Sequence, residues 1–173
     1  MKRRLPMGRE ARNVAASVRA RLQNVARTNR ASFERVLTRY ALERLLFRLS
    51  ASPHKERFVL KGAMLYAAWL DDPFRTTRDL DLLASGQRQT ERIVKIFAEI
   101  CVQEVLDDGL TFDAERIAAK PIRGDLANAG LRLRTAAHLA GAVIPLWIDI
   151  GFGDVVTPGP VELEDPSLLD QPP

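Results

Sequence analysis

Cysteine is almost missing from this chain: Cys101 is the only one among 173 residues. That excludes an internal disulfide framework and a cysteine-based zinc site. Histidine is nearly as scarce. His54 and His138 lie far apart in sequence and form no recognisable metal-ligand motif. No uncharged apolar run approaches the roughly 18 residues of a membrane span. A basic start, Lys2-Arg3-Arg4, is not followed by an apolar stretch, so no signal peptide is read and the cytoplasm is the default compartment. Internal repeats and low-complexity tracts are absent. What is present suits a soluble globular protein: 46% hydrophobic and 28% charged residues, a balance that argues against global disorder. The length fits one domain of ordinary size, large enough to bury a core without staples.

The formal net charge of +4 hides an asymmetry. Residues 1–50 carry 13 Lys/Arg against 3 Asp/Glu, and twelve of those cations are arginine. Residues 151–173 carry no Lys or Arg and 5 Asp/Glu. Arginine grips phosphate with a planar fork, so the basic stretch suits nucleic acid, or it is a solvated helix surface.

Hydrophobic periodicity sets the organisation. Residues 1–9 read as a basic tail. Val14, Val18, Leu22 and Val25 recur at helical spacing through Thr28. Ser32 is placed to cap a second helix through Ser50 that carries Phe33, Val36, Leu37, Tyr40, Leu45, Leu46 and Leu49. Pro53 breaks the pattern. Residues 57–62 read as a short buried strand, 63–70 as a helix, 71–73 as a turn and 79–83 as a strand. An amphipathic helix follows over 89–106, with Ile93, Ile96, Phe97, Ile100 and Val105 facing inward. Short strands are expected near 110–112 and 116–122. Residues 131–139 alternate Leu131, Leu133 and Thr135 with Arg132 and Arg134; Gly141 turns the chain, and 143–150 is the last strong strand. Beyond Val156 the chain is acidic and Pro-rich, which reads as an extended tail or linker. Irregular alternation of helices and strands predicts an α+β fold, a mixed sheet flanked by helices, rather than a doubly wound one. The expected parts are a basic N-terminal helical extension over 1–52, a core over 53–165 and a Pro-rich tail over 166–173.

Three features converge on chemistry. Lys61-Gly62-Ala63 sits at a strand-to-helix junction, where a glycine permits close approach and the helix start offers N–H groups to a triphosphate. Asp79 and Asp81 are two apart on a strand, so both carboxylates share one face. They repel each other unless a cation intervenes, and an oxygen-seeking ion such as Mg²⁺ suits them. Asp149 lies in the apolar run Leu146-Trp147-Ile148-Asp149-Ile150, where a carboxylate is costly unless it is paired or functional. Its structural alternative is an ion pair with Arg132 or Arg134. Trp69 and Trp147 read as core, with base stacking as the alternative, and Cys101 as a buried core residue.

In combination, Glu43–Ser50, Arg57–Leu65 with its Leu60-Lys61-Gly62, Arg75–Leu82 with Asp79-Leu80-Asp81, and Ile148–Asp154 resemble the AbiEii/AbiGii toxin family of nucleotidyltransferases. The resemblance runs from about Ser17 to Asp165. It implies a cytoplasmic enzyme of a toxin–antitoxin or abortive-infection system that uses a nucleoside triphosphate and Mg²⁺ to add nucleotides to RNA, with tRNA as a target. It implies a cognate antitoxin as partner. Carried over, Asp79, Asp81 and Asp149 are the metal ligands and catalytic carboxylates. Lys61, Gly62 and Ala63 are the nucleotide-binding residues, with a surface lysine at the strand end as the alternative for Lys61. Arg75 and Arg78 are expected to shape the loop. Family members usually continue into a helical half with a lysine and a further acidic motif. This sequence stops at Pro172-Pro173, so the alternative expectation is a truncated, catalytically weak or inactive relative that binds RNA or a partner protein.

Overall fold

The computed structural model describes residues 13–65, 78–86, 88–122, 130–153, 159–162 and 167–169. The expectations for residues 1–9, for Trp69, for the turn at 71–73 and for Arg75 lie outside these.

Helix α1 spans Val14–Thr28 and α2 spans Phe33–Ala51. Asn13 caps α1, its side chain accepting from the Ala16 N–H at 3.0 Å. Ser32 does occupy the α2 cap position with extended backbone, but its side chain makes no capping bond. Strand β1 is Phe58–Lys61 and β2 is Asp79–Ala84. Between them a helical turn begins at residues 63–65. Helix α3 covers Thr90–Cys101, shorter than its apolar pattern suggested. Beyond it Val102 and Leu106 are exposed, and Val105, expected on the inner face of the helix, lies half-buried outside it. Strands β3 (Thr111–Phe112), β4 (Ala118–Pro121), β5 (Leu131–Leu139) and β6 (Ala142–Phe152) complete the sheet.

The strand order is β1-β2-β6-β5-β3, with β4 also on the outer edge of β5. Among the described residues only β2 and β6 run parallel; the other pairings are antiparallel. The sheet is therefore mixed, and the fold is α+β with helices against a sheet. The β5–β6 hairpin turns at Ala140 and Gly141, both with positive φ (+44° and +83°). The glycine relieves most of the strain such a tight reversal requires.

Strand parity divides the sheet into two faces. Leu80, Leu82, Leu131, Leu133, Leu139, Ile144, Leu146, Ile148 and Ile150 point to the helices and are almost fully buried. Val18, Leu22, Leu42 and Leu45 from α1 and α2 join Phe97 and Ile100 from α3 in the same core. Each fully buried large side chain contributes roughly 1.5–3 kcal/mol, so the helical pair is held by the core, not merely appended to it. Burial pushes the Cys101 thiol up to about 12 and makes it an inert core residue.

The basic stretch behaves unexpectedly. Arg39, Arg44 and Arg48 of α2 are buried instead of forming a solvated or nucleic-acid-binding surface. Arg44 Nε donates to Asp108 Oδ2 at 2.8 Å, and Arg48 donates to both Asp108 oxygens at 2.6 and 3.0 Å. The two guanidinium groups also lie on the rings of Phe47 and Phe112, at 4.3 and 4.8 Å. Tyr40 Oη closes the cluster on the Asp108 carbonyl at 3.0 Å. Near the other terminus, residues 167–169 are docked rather than free. Ser167 Oγ and the Leu168 N–H donate to Glu43 at 2.9 and 3.0 Å, and Leu169 is buried in the core.

Candidate active site

Among the described residues no helix packs on the second face of the sheet, here called the open face, and strand pairing brings the sequence-predicted residues onto it. Asp79 and Asp81 sit on β2 with Leu80 and Leu82 directed into the core. Asp81 is in register with Asp149 on β6, and with Lys61 on β1. Asp149 is in turn opposite Arg132 on β5, and Arg132 opposite Lys120 on β4. One row of side chains thus crosses the whole sheet: Lys61, Asp81, Asp149, Arg132, Lys120. Two carboxylates lie at its centre with cations on both sides. The parallel pairing of β2 with β6 makes this juxtaposition, joining residues far apart in sequence.

Gly62 fits against this row for a steric reason. Its φ is +73°, and a Cβ there would lie 2.2 Å from Asp81 Oδ2. The absent side chain leaves the space that the Asp81 carboxylate fills. The Ala63 N–H, at the start of the helical turn, donates to Asp81. In this structure the loop therefore orients a carboxylate, and that N–H is directed at Asp81.

The electrostatics follow from the packing. Burial raises the Asp81 carboxyl above the usual range, and Asp79 and Asp149 raise it further. Lys61 and the Ala63 N–H act in the opposite sense. Asp149 is the best neutralised: Arg132 grips it through two bonds, Nε to Oδ1 at 2.6 Å and Nη2 to Oδ2 at 2.5 Å. The same Nη2 lies 3.8 Å from Asp79 Oδ2. Between the two partners the sequence left open, the structure selects Arg132. Its own pKa is raised, first by the bond to Asp149. A cleft of about 270 Å³ opens beside the row, lined by Lys61, Asp81, Ile122, Gly130, Asp149, Ile150, Gly151 and Phe152.

The chain's match to known families fits this geometry. The family described as "Nucleotidyl transferase AbiEii toxin, Type IV TA system" matches residues 44–173. The chain belongs to the AbiEii family. The match begins inside α2, later than the resemblance at Ser17 suggested, and continues past Asp165. No curated protein sequence matches the chain.

For an AbiEii nucleotidyltransferase the relevant cofactor is a divalent cation. Among the described residues, no group of three or more His, Cys, Asp or Glu side chains is gathered as a ready metal cage. The donor chemistry nevertheless fits. Asp79, Asp81 and Asp149 offer oxygens only, on one face, and their mutual repulsion on Asp81 is what a hard cation relieves. In this structure Arg132 supplies the counter-charge to Asp149.

Trp147 departs from the core expectation: it lies half-buried on the open face, in register with Asp79 on one side and Arg134 on the other. The signal was available. Trp147 shares strand parity with Asp149, so two residues on one strand face must point the same way. Arg78 is exposed next to β2.

Proposed function

We propose that this AbiEii protein is a Mg²⁺-dependent, cytoplasmic toxin that transfers nucleotides from a nucleoside triphosphate to RNA, with tRNA as the acceptor. The observation that carries the reading is the register of Asp81 with Asp149 beside the space left by Gly62. It places two carboxylates side by side, with Asp79 two residues away on the same strand face.

In this reading the acceptor's hydroxyl oxygen attacks the α-phosphorus of the triphosphate. The new P–O bond forms as the bond to the β-phosphate bridge breaks, and pyrophosphate leaves in line. The hydroxyl proton goes to Asp149, which also fixes the attacking oxygen. Asp79 and Asp81 would orient the α-phosphate end through a divalent cation, since bare carboxylates repel phosphate. Lys61 gives positive charge to the triphosphate, while Gly62 and the Ala63 N–H act on the nucleotide through Asp81, which they seat and orient. A divalent cation held by Asp79, Asp81 and Asp149 would neutralise phosphate charge and lower the pKa of the hydroxyl. Arg132 must then release Asp149, which frees a guanidinium beside the reacting phosphates. A cognate antitoxin is the protein partner this reading implies.

The test is transfer of radiolabel to RNA by wild type, Asp81→Asn and Asp149→Asn. Both variants should lose transfer while keeping wild-type circular dichroism. Full transfer by either folded variant would remove that carboxylate from the reaction.

A further inference from the structure

A second cavity lies on the same open face, one row along from the three aspartates. It has a volume of about 470 Å³, within the range of small-ligand sites. Its walls include Trp147, Arg134, Arg116, Pro145 and Asp113. The pairing register places it. Asp79, Trp147, Arg134 and Ala118 form a row across β2, β6, β5 and β4. That row is two residues along the strands from the Asp81–Asp149 row, about 7 Å.

The chemistry of these walls is specific. Trp147 is half-buried, its body held by the sheet, on the open side where Pro145 is exposed. Arg134 and Arg116 are exposed, and among the described residues neither guanidinium has a carboxylate partner. The one acid in the wall, Asp113, is engaged by His138 Nε2 at 3.2 Å. An indole flanked by two unpaired guanidinium groups is a platform for a base and its phosphates.

We propose that this cavity binds the unpaired 3′-terminal segment of the acceptor RNA, with a base stacked on Trp147 and backbone phosphates on Arg134 and Arg116. The assignment rests on the reading of the aspartates as the transfer site, because it takes the bound strand as the acceptor. The adjoining rows then lead the strand's end from Trp147 past Asp79 towards Asp149. A paired duplex end is not the expected occupant, since its bases are held in pairs and cannot be splayed out singly onto the indole. The triphosphate is not the expected occupant, because Lys61 lies on β1, separated from Trp147 on β6 by β2 and its aspartates.

The test measures binding without chemistry, in EDTA for the RNAs and in Mg²⁺ for the triphosphate analogue. The probes are a single-stranded RNA 12-mer, a blunt RNA duplex of equal length and a non-hydrolysable nucleoside triphosphate. Trp147→Leu should weaken the single strand roughly 5- to 150-fold, the range supported by stacking of one base. Trp147→Phe should restore most of it. Arg134→Gln should reduce the slope of log K against log salt by about 0.7, one phosphate contact on a single strand. Triphosphate and duplex binding should be unchanged in all three. Unchanged single-strand affinity in folded Trp147→Leu would overturn the proposal, as would a loss confined to the triphosphate. The two readings fail separately. Single-strand binding that depends on Trp147, with no transfer by wild type, would remove the enzyme and leave the surface. Transfer that depends on Asp81 but ignores Trp147 would do the reverse.

Discussion

Replacing Gly62 by alanine should disable the site through Asp81 while leaving the fold standing. Two effects add. The φ of +73° costs an L side chain about 1–2 kcal/mol. The new Cβ would also lie 2.2 Å from Asp81 Oδ2, 2.7 Å from its Cγ and 2.8 Å from its Cβ. Because the Asp81 Cβ is itself too close, rotating the carboxylate does not clear the contact. The side chain or the loop must shift by about 1 Å, a misplacement that can cost about 100-fold in rate. With strain included, the stability loss should be about 2–3 kcal/mol, or about 5–10 °C in Tm for a chain of this size. Gly86 supplies the control. Its φ is +88°, yet an added Cβ meets nothing within 4 Å. Gly86→Ala should therefore lose similar backbone stability and keep full transfer. The assay is label transfer to RNA alongside thermal melting of both variants. Full transfer by Gly62→Ala would refute the steric argument, and equal losses in both variants would reduce it to backbone strain.

Other expectations follow from the charged clusters. Asp108→Asn should cost about 3–5 kcal/mol in urea unfolding, because it strands two buried guanidinium groups; a loss below 1 kcal/mol would contradict that. Burial alone would raise the Asp108 carboxyl, but the bonds from Arg48 and Arg44 hold it below the usual range, so its stabilisation is complete above the unfolded-state pKa and is lost as pH falls through the lowered folded value. Wild type should lose this contribution on acidification below about pH 4, and the Asn variant should lack that part of the acid dependence. Arg132→Gln should tighten Mn²⁺ binding about two- to fivefold in paramagnetic titration, because it removes the cation competing for Asp149; unaltered affinity would count against that competition. The Asp81 carboxyl is raised, so Mn²⁺ binding should weaken on acidification at a pH above the ordinary carboxylate range. A midpoint at or below that range would contradict the burial and repulsion described for Asp81.

The fold was legible where one physical rule dominated. Period-two alternation placed Leu131, Leu133, Ile148 and Ile150 inward and put Asp79 and Asp81 together outward. Helical spacing found Ile93, Ile96, Phe97 and Ile100. The same alternation applied to Trp147 would have put it beside Asp149, but its size suggested core. Asp108 could not be read. It lies in Asp107-Asp108-Gly109, which looks like a surface turn, and its burial depends on arginines 60 and 64 residues earlier in the chain. Arginine content likewise suggested a wet or RNA-binding face, although one buried acid draws Arg44 and Arg48 inside. The approach of Asp81 to Gly62 is a product of register between β1 and β2, which neither segment encodes alone.

The central claim is that Asp81 and Asp149, joined by the pairing of β2 with β6, carry out nucleotidyl transfer. Its most direct test is incorporation of label from each α-³²P nucleoside triphosphate into total tRNA with Mg²⁺, by wild type, Asp81→Asn and Asp149→Asn. The account predicts incorporation by wild type alone, with all three proteins folded. Equal incorporation by wild type and a folded Asp variant, or none by folded wild type with any nucleotide, would contradict it.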